Sequence, residues 1–151
     1  MKNQTNLVGE VGLVYKTDTS VADLPTITDP EQAYRYLISI WDQDTLQLHE
    51  HVMLLLLNNS KKCLGWSRIS TGNATSSIVD PKHIFQVALL GNAASCVLAH
   101  SHPSGTLRAS TADIALTKRV KQVGNLLNIP LDDHIIITAD GYLSMKSRGL
   151  V

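Results

Sequence analysis

Two imidazoles, a hydroxyl and a carboxylate fall within fourteen residues at His100, His102, Ser110 and Asp113. Seven residues separate His102 from Ser110, and two separate Ser110 from Asp113. Neutral imidazole and carboxylate are ligands that zinc accepts readily. Three of them leave a fourth tetrahedral position for water, which is the arrangement of a catalytic ion rather than a structural one.

The elements that must position these residues can be read around them. Ala94 to Ala99 is a small, apolar run suited to a buried strand, and Pro103-Ser104-Gly105 ends it. His100 and His102 are two apart on the strand end, so both side chains share one face. Ser110 opens a helix and Asp113 lies one turn inside it, so a strand tip and a helix start can converge on one ion. The same Ser-x-x-Asp spacing also describes an N-cap with its capping-box partner, a purely structural pair.

At these positions the chain resembles the JAMM (MPN+) metallohydrolases and, within them, the bacterial RadC-like proteins. That pattern is a distant upstream Glu, then His-x-His, seven residues, Ser, two residues and Asp, matched here by Glu50, His100, His102, Ser110 and Asp113. The resemblance runs through His-Ser-His-Pro-Ser-Gly, Ser110-x-x-Asp113-x-x-x-Thr117 and Leu131-Asp132-Asp133-His134-Ile135, covering roughly residues 30 to 151. RadC-like proteins usually carry Asn between the histidines and Asp-Pro-x-Pro before the serine. This chain has Ser101 and Thr106-Leu107-Arg108-Ala109 there, which predicts a looser loop and an unchanged ligand set.

The resemblance implies zinc held by His100, His102 and Asp113, with Glu50 as general base and then general acid, and Ser110 as donor to an oxyanion. It also implies an α/β fold: a single three-layer JAMM/MPN-type domain with a curled mixed sheet flanked by helices. Glu50 opens the apolar strand Val52 to Leu57, and without the resemblance it would read as a surface residue of Gln47-Leu48-His49-Glu50-His51.

Length and composition agree with one globular unit. A chain of 151 residues can bury a core of its own, and 44% hydrophobic with 17% charged residues places it among globular rather than disordered chains. Basic and acidic residues number 13 each, so no global charge favours nucleic acid or an anionic membrane surface. The run Val52 to Leu57 is too short to cross a bilayer, and Met1 to Asn6 lacks a signal-peptide core, so a cytoplasmic protein without membrane association is expected. Cys63 and Cys96 form no disulfide framework and no Cys-x-x-Cys pair, and both read as small core residues.

Along the chain, residues 1–28 read as an N-terminal strand (Glu10 to Lys16) with a polar connector, and residues 29–151 as the RadC-like domain. Asp29-Pro30 and Asp80-Pro81 are helix starts. The first helix turns Ala33, Leu37, Ile40 and Trp41 inward; the second turns Ile84, Phe85, Ala88 and Leu89 inward. Val52 to Asn58 and Lys62 to Ser70 pair around Asn59-Ser60-Lys61. The helix from Ser110 buries Leu116, Val120, Val123 and Leu127 and is closed by Pro130. A strand from His134 to Thr138 turns at Asp140-Gly141 into a last strand, Tyr142 to Lys146.

The other candidates read as structural. His49, His51 and His83 look exposed or partly buried, and Lys118, Arg119 and Lys121 a solvated helix face. Thr71-Gly72-Asn73 reads as a connecting loop, and Cys96 stands close enough in sequence to His100 to lie near a metal. His134 reads as a structural hydrogen-bonding residue, with a supporting role behind a ligand as the second option.

The function these features favour is zinc-dependent hydrolysis of a peptide or isopeptide bond in a peptide or protein substrate. A non-catalytic DNA-repair-associated module is the rival, since RadC-like proteins carry that association, but net neutrality and few aromatics add nothing for nucleic acid. A scaffold that has lost its metal is opposed by the complete ligand set. The Cys-rich pattern of zinc deaminases and the His-Glu-x-x-His of other metallopeptidases are both missing.

Overall fold

The computed structural model describes residue 12 and residues 16–71 and 79–151. The expected strand Glu10 to Lys16 and the loop after Thr71 therefore fall largely outside the described residues.

Each helix begins where the sequence places its cap. Asp29 accepts from the Gln32 N–H and Asp80 from the Lys82 N–H, opening α1 (Pro30–Ile40) and α2 (Pro81–Leu90) with Pro at the first turn. α3 (Thr111–Leu126) opens on Ser110. It ends at Leu126, four residues before Pro130, and the left-handed φ of 55° at Asn128 lets the Ile129 N–H return to the Gly124 carbonyl.

Five strands form one mixed sheet in the order β2-β1-β3-β4-β5. β1 (His51–Leu57), β2 (Cys63–Thr71) and β3 (Ser95–Ser101) pair antiparallel, β4 (Leu131–Thr138) lies parallel to β3, and β5 (Gly141–Ser144) folds back on β4. β4 starts at Leu131, three residues before the expected His134, and β5 is two residues shorter at its end than expected. The parallel β3–β4 pair needs a crossover, which α3 supplies.

The sheet is covered on both faces, giving the expected three layers. Met53, Leu55, Leu57, Val97, Ala99, Ile135 and Ile137 pack with Ala33, Leu37 and Trp41 of the α1 side. Val52, Leu54, Leu56, Cys96 and Leu98 pack with Ile84, Phe85, Ala88 and Val120 of α2 and α3. β1 is apolar at every position after His51 because both its faces are buried.

Two expected core residues face solvent. Leu89 and Leu127 are 51% and 41% exposed, because the sheet-facing arcs of their helices are instead filled by Ala88 and by Thr117, Val120 and Gly124. Gly124 seats α3 closely: a Cβ there would stand 2.5 Å from the Ile129 carbonyl oxygen and 3.2 Å from Phe85.

Candidate metal centre

β3 carries His100 at its buried end, and His102 follows one residue beyond the strand. Val52 pairs with His100 in the β1–β3 ladder, so the antiparallel register continued by two residues sets Glu50 beside His102. The continuation is fastened by Ser101, which is fully buried. Its hydroxyl accepts from the His51 N–H at 2.9 Å and donates to the His49 carbonyl at 3.1 Å, gripping both flanks of Glu50. Sequence reasoning noted Ser101 only as a departure between the histidines. Burial pushes the Glu50 carboxyl above the usual carboxylate range; His100 and His102 pull the other way, and Asp113 adds to the rise.

From the opposite side comes the first turn of α3. Ser110 Oγ accepts from the Asp113 N–H at 3.0 Å, and Asp113 Oδ2 accepts from the Ser110 N–H at 2.6 Å, a complete capping box. The cap also orients the carboxylate. Asp113 Oδ1 stands 3.1 Å from His100 Nε2, and Oδ2 stands 3.4 Å from His102 Nε2. Burial opposes ionisation of Asp113, yet its close contacts with the His100 and His102 rings hold its carboxyl well below the ordinary range. Capping and site geometry thus coexist in one pair. The Ser110 hydroxyl proton has no acceptor among the described residues, and the side chain lines the cavity over the histidines.

Hydrogen-bond bookkeeping shows what the cluster lacks. His102 Nδ1 lies 2.8 Å from the Thr106 carbonyl, which can only accept, so Nδ1 carries a proton. In the neutral ring Nε2 then offers a lone pair, while the Asp113 carboxylate beside it raises the His102 pKa and favours a positive charge at this point. Thr117 Oγ1 donates to the Asp113 carbonyl at 2.7 Å and therefore accepts from His134 Nδ1 at 2.6 Å. His134 Nε2 then accepts from His100 Nδ1 at 2.7 Å, leaving a lone pair on His100 Nε2 as well. Burial keeps the His134 pKa well below that of a free imidazole, so this ring is neutral.

Two imidazole Nε2 atoms 2.8 Å apart and a carboxylate accordingly converge, and with both rings neutral no proton lies among them. Such a set is held together by a cation. Ligands bonded to tetrahedral zinc at about 2.0–2.1 Å stand about 3.3 Å from one another, close to the 2.8, 3.1 and 3.4 Å separations here. Donor type, spacing and tautomers all fit a divalent ion of that kind.

The cluster forms the floor of a cavity of about 770 Å³, walled by the Pro103 to Ala109 loop and one face of α3 and including Glu50, Val79 and Arg119. Several other expectations need correction. His51 is buried rather than exposed or partly buried, with Nε2 2.9 Å from the Thr45 hydroxyl, because it begins β1, an interior strand of the sheet. Cys96 lies at the far end of β3 opposite Leu131, away from the histidines, where burial pushes its thiol up to about 12. Lys118, Arg119 and Lys121 are exposed as expected, but Arg119 also lines the cavity. His134 serves as the partner of His100, so its second option and its structural hydrogen bond are the same contact.

Comparison with known proteins closes the description. A family model described as RadC-like JAB domain matches residues 27–150. The chain is 44% identical over 102 residues to a UPF0758 protein of Desulforamulus reducens, covering 68% of this chain and 45% of that protein. It is 41% identical over 127 residues to a UPF0758 protein of Porphyromonas gingivalis, covering 83% and 55%. With a UPF0758 protein of Clostridium beijerinckii it shares 36% over 126 residues, covering 83% and 53%. The chain spans about half the length of the curated relatives it matches.

Proposed function

The chain belongs to the RadC-like JAB domain family, and from that premise we propose that it is a zinc-dependent metallohydrolase that cleaves an amide bond as a peptidase or isopeptidase. The observation that carries this reading is the convergence of His100 Nε2, His102 Nε2 and the Asp113 carboxylate on one point, beside a carboxyl raised by burial. A zinc ion held there would polarise the scissile carbonyl and lower the pKa of its water to about 7.

Every other role falls to the chain. Glu50 takes a proton from the attacking water and passes it to the leaving nitrogen, and the upward shift of its pKa makes it a better base than an ordinary carboxylate. Ser110, whose Oγ already accepts from the Asp113 N–H, directs its free proton to the oxyanion. The His134–Thr117 pair holds His100 in the tautomer that presents a lone pair. Ser101 keeps Glu50 level with His102.

The test is a peptide and isopeptide library incubated with zinc-loaded protein, with a nuclease assay alongside and zinc content measured for wild type and Asp113→Ala. Metal-dependent amide cleavage, with one zinc per chain lost in the variant, is expected. Zinc-dependent cleavage of DNA without amide cleavage would identify a different enzyme. Undiminished stoichiometric zinc in Asp113→Ala would overturn the ligand set.

A further inference from the structure

The cavity is not uniform along its length. On α3 the residues Ala112, Ala115, Leu116 and Arg119 recur at helical spacing and line one wall. The two alanines make that wall shallow near the histidines, and Arg119 stands at its far end. Arg108, on the loop across the cavity, lines it as well. Apart from histidines, these two guanidiniums are the cationic side chains of the lining among the described residues, and neither has a hydrogen bond or ion pair there.

The lining carboxylates, Glu50 and Asp113, gather at the opposite end. Six residues of helix from Asp113 to Arg119 rise about 9 Å, so Arg119 stands removed from the metal-ready floor along α3 with the apolar Ala115 and Leu116 between, while Arg108 lines the cavity from the loop that leads into Ser110. A guanidinium beside an apolar wall binds carboxylate more strongly than one in open water, and does so in a fork geometry that discriminates against neutral amides.

We propose that Arg108 and Arg119 form a carboxylate-binding subsite, so that the preferred substrate is a peptide carrying an acidic side chain or a free C-terminal carboxylate within about three residues of the scissile bond. The spacing follows from about 9 Å along the helix against about 3.3 Å per residue of extended chain. A peptide fits better than a nucleic acid: the described lining holds no Phe, Tyr or Trp on which bases could stack, and its two carboxylates would repel a continuous phosphate backbone. The position of the scissile bond rests on the hydrolase reading; the position of the anion rests on the cavity alone.

The experiment compares peptides that differ only as Asp against Asn at each position, and as C-terminal acid against amide, which separates the two sources of carboxylate. Cleavage is measured for wild type, Arg108→Ala/Arg119→Ala and Arg119→Glu, with the exposed Lys121→Glu as a control. In parallel, the arginine Nε–H resonances are followed by NMR as acidic and neutral tetrapeptides and a short single-stranded DNA are added. We expect roughly a tenfold preference for the acidic member, lost in the double variant, shifted toward Lys-containing peptides in Arg119→Glu and unchanged in the control. Cleavage that ignores the substitution, or a preference that survives in the double variant, would overturn the subsite while leaving the hydrolase reading intact. Selective binding of acidic peptides without cleavage would keep the subsite and sink the hydrolase reading. Absence of both, or arginine shifts with DNA and not with peptides, would overturn it.

Discussion

His134 Nε2 lies 2.7 Å from His100 Nδ1, and His134 Nδ1 lies 2.6 Å from the Thr117 hydroxyl. One buried threonine of α3 thereby decides, through His134, which nitrogen of His100 on β3 keeps its proton. Thr117→Val should lower zinc affinity about 10- to 100-fold, whereas Thr117→Ser, which keeps the hydroxyl, should bind as wild type. Chelator competition on the purified variants measures this. Equal affinities in Thr117→Val and wild type would remove Thr117 from the site.

Glu50→Gln should keep the metal and lose turnover, because an amide cannot shuttle a proton. General acid-base roles of this kind contribute about a hundred- to ten-thousand-fold. Steady-state kinetics with parallel zinc analysis decides it: near wild-type rates would dismiss Glu50 as the base, and loss of zinc would recast it as a ligand.

Ser110 carries two separable contributions. Ser110→Ala should cost about 1 kcal/mol of stability through the lost cap and lower the rate about a hundred- to a thousand-fold through the lost oxyanion donor. Ser110→Asp restores the cap but not the donor, so a folded, inactive protein is expected. Zinc content must be followed, since a new carboxylate would sit beside Asp113. A folded, zinc-loaded Ser110→Asp protein with full activity would leave the residue as a cap alone.

Asp133 supplies a pH signature independent of the site chemistry. Burial raises its carboxyl above the usual range, although Ser144 and the N–H groups of Lys146 and His134 hydrogen-bond it and pull the pKa down. The native state therefore holds this proton more tightly than the unfolded chain. The stability from that proton is fully present below the unfolded pKa, near 3.8, and is lost as pH rises through the raised native value. Denaturant titrations at acidic and neutral pH should show Asp133→Asn gaining stability relative to wild type as pH rises. A pH-independent difference between the two proteins would contradict the shift.

The local signals were legible in the residues themselves. Asp-Pro pairs mark the starts of α1 and α2 because a carboxylate caps and a proline tolerates the first turn. The alternation of a strand puts His100 and His102 on one face, and Ser110 with Asp113 spells a capping box whether or not a metal is present. Those patterns depend on neighbours a few residues away, so a single chain reports them. By contrast, Glu50 meets His102 only through the antiparallel register of β1 and β3, pinned by Ser101 from about fifty residues away. His134 reaches His100 only because β4 lies parallel beside β3, and Arg119 enters the cavity only because α3 packs on the sheet face beside α2. Leu89 and Leu127 were assigned inward for the same reason in reverse: helical spacing defines a stripe, while the sheet decides which edge of it is covered. Side-chain type and spacing thus determined which ligands this protein offers, and strand register and helix seating decided which groups orient them, because those contacts join segments whose separation leaves no periodic trace.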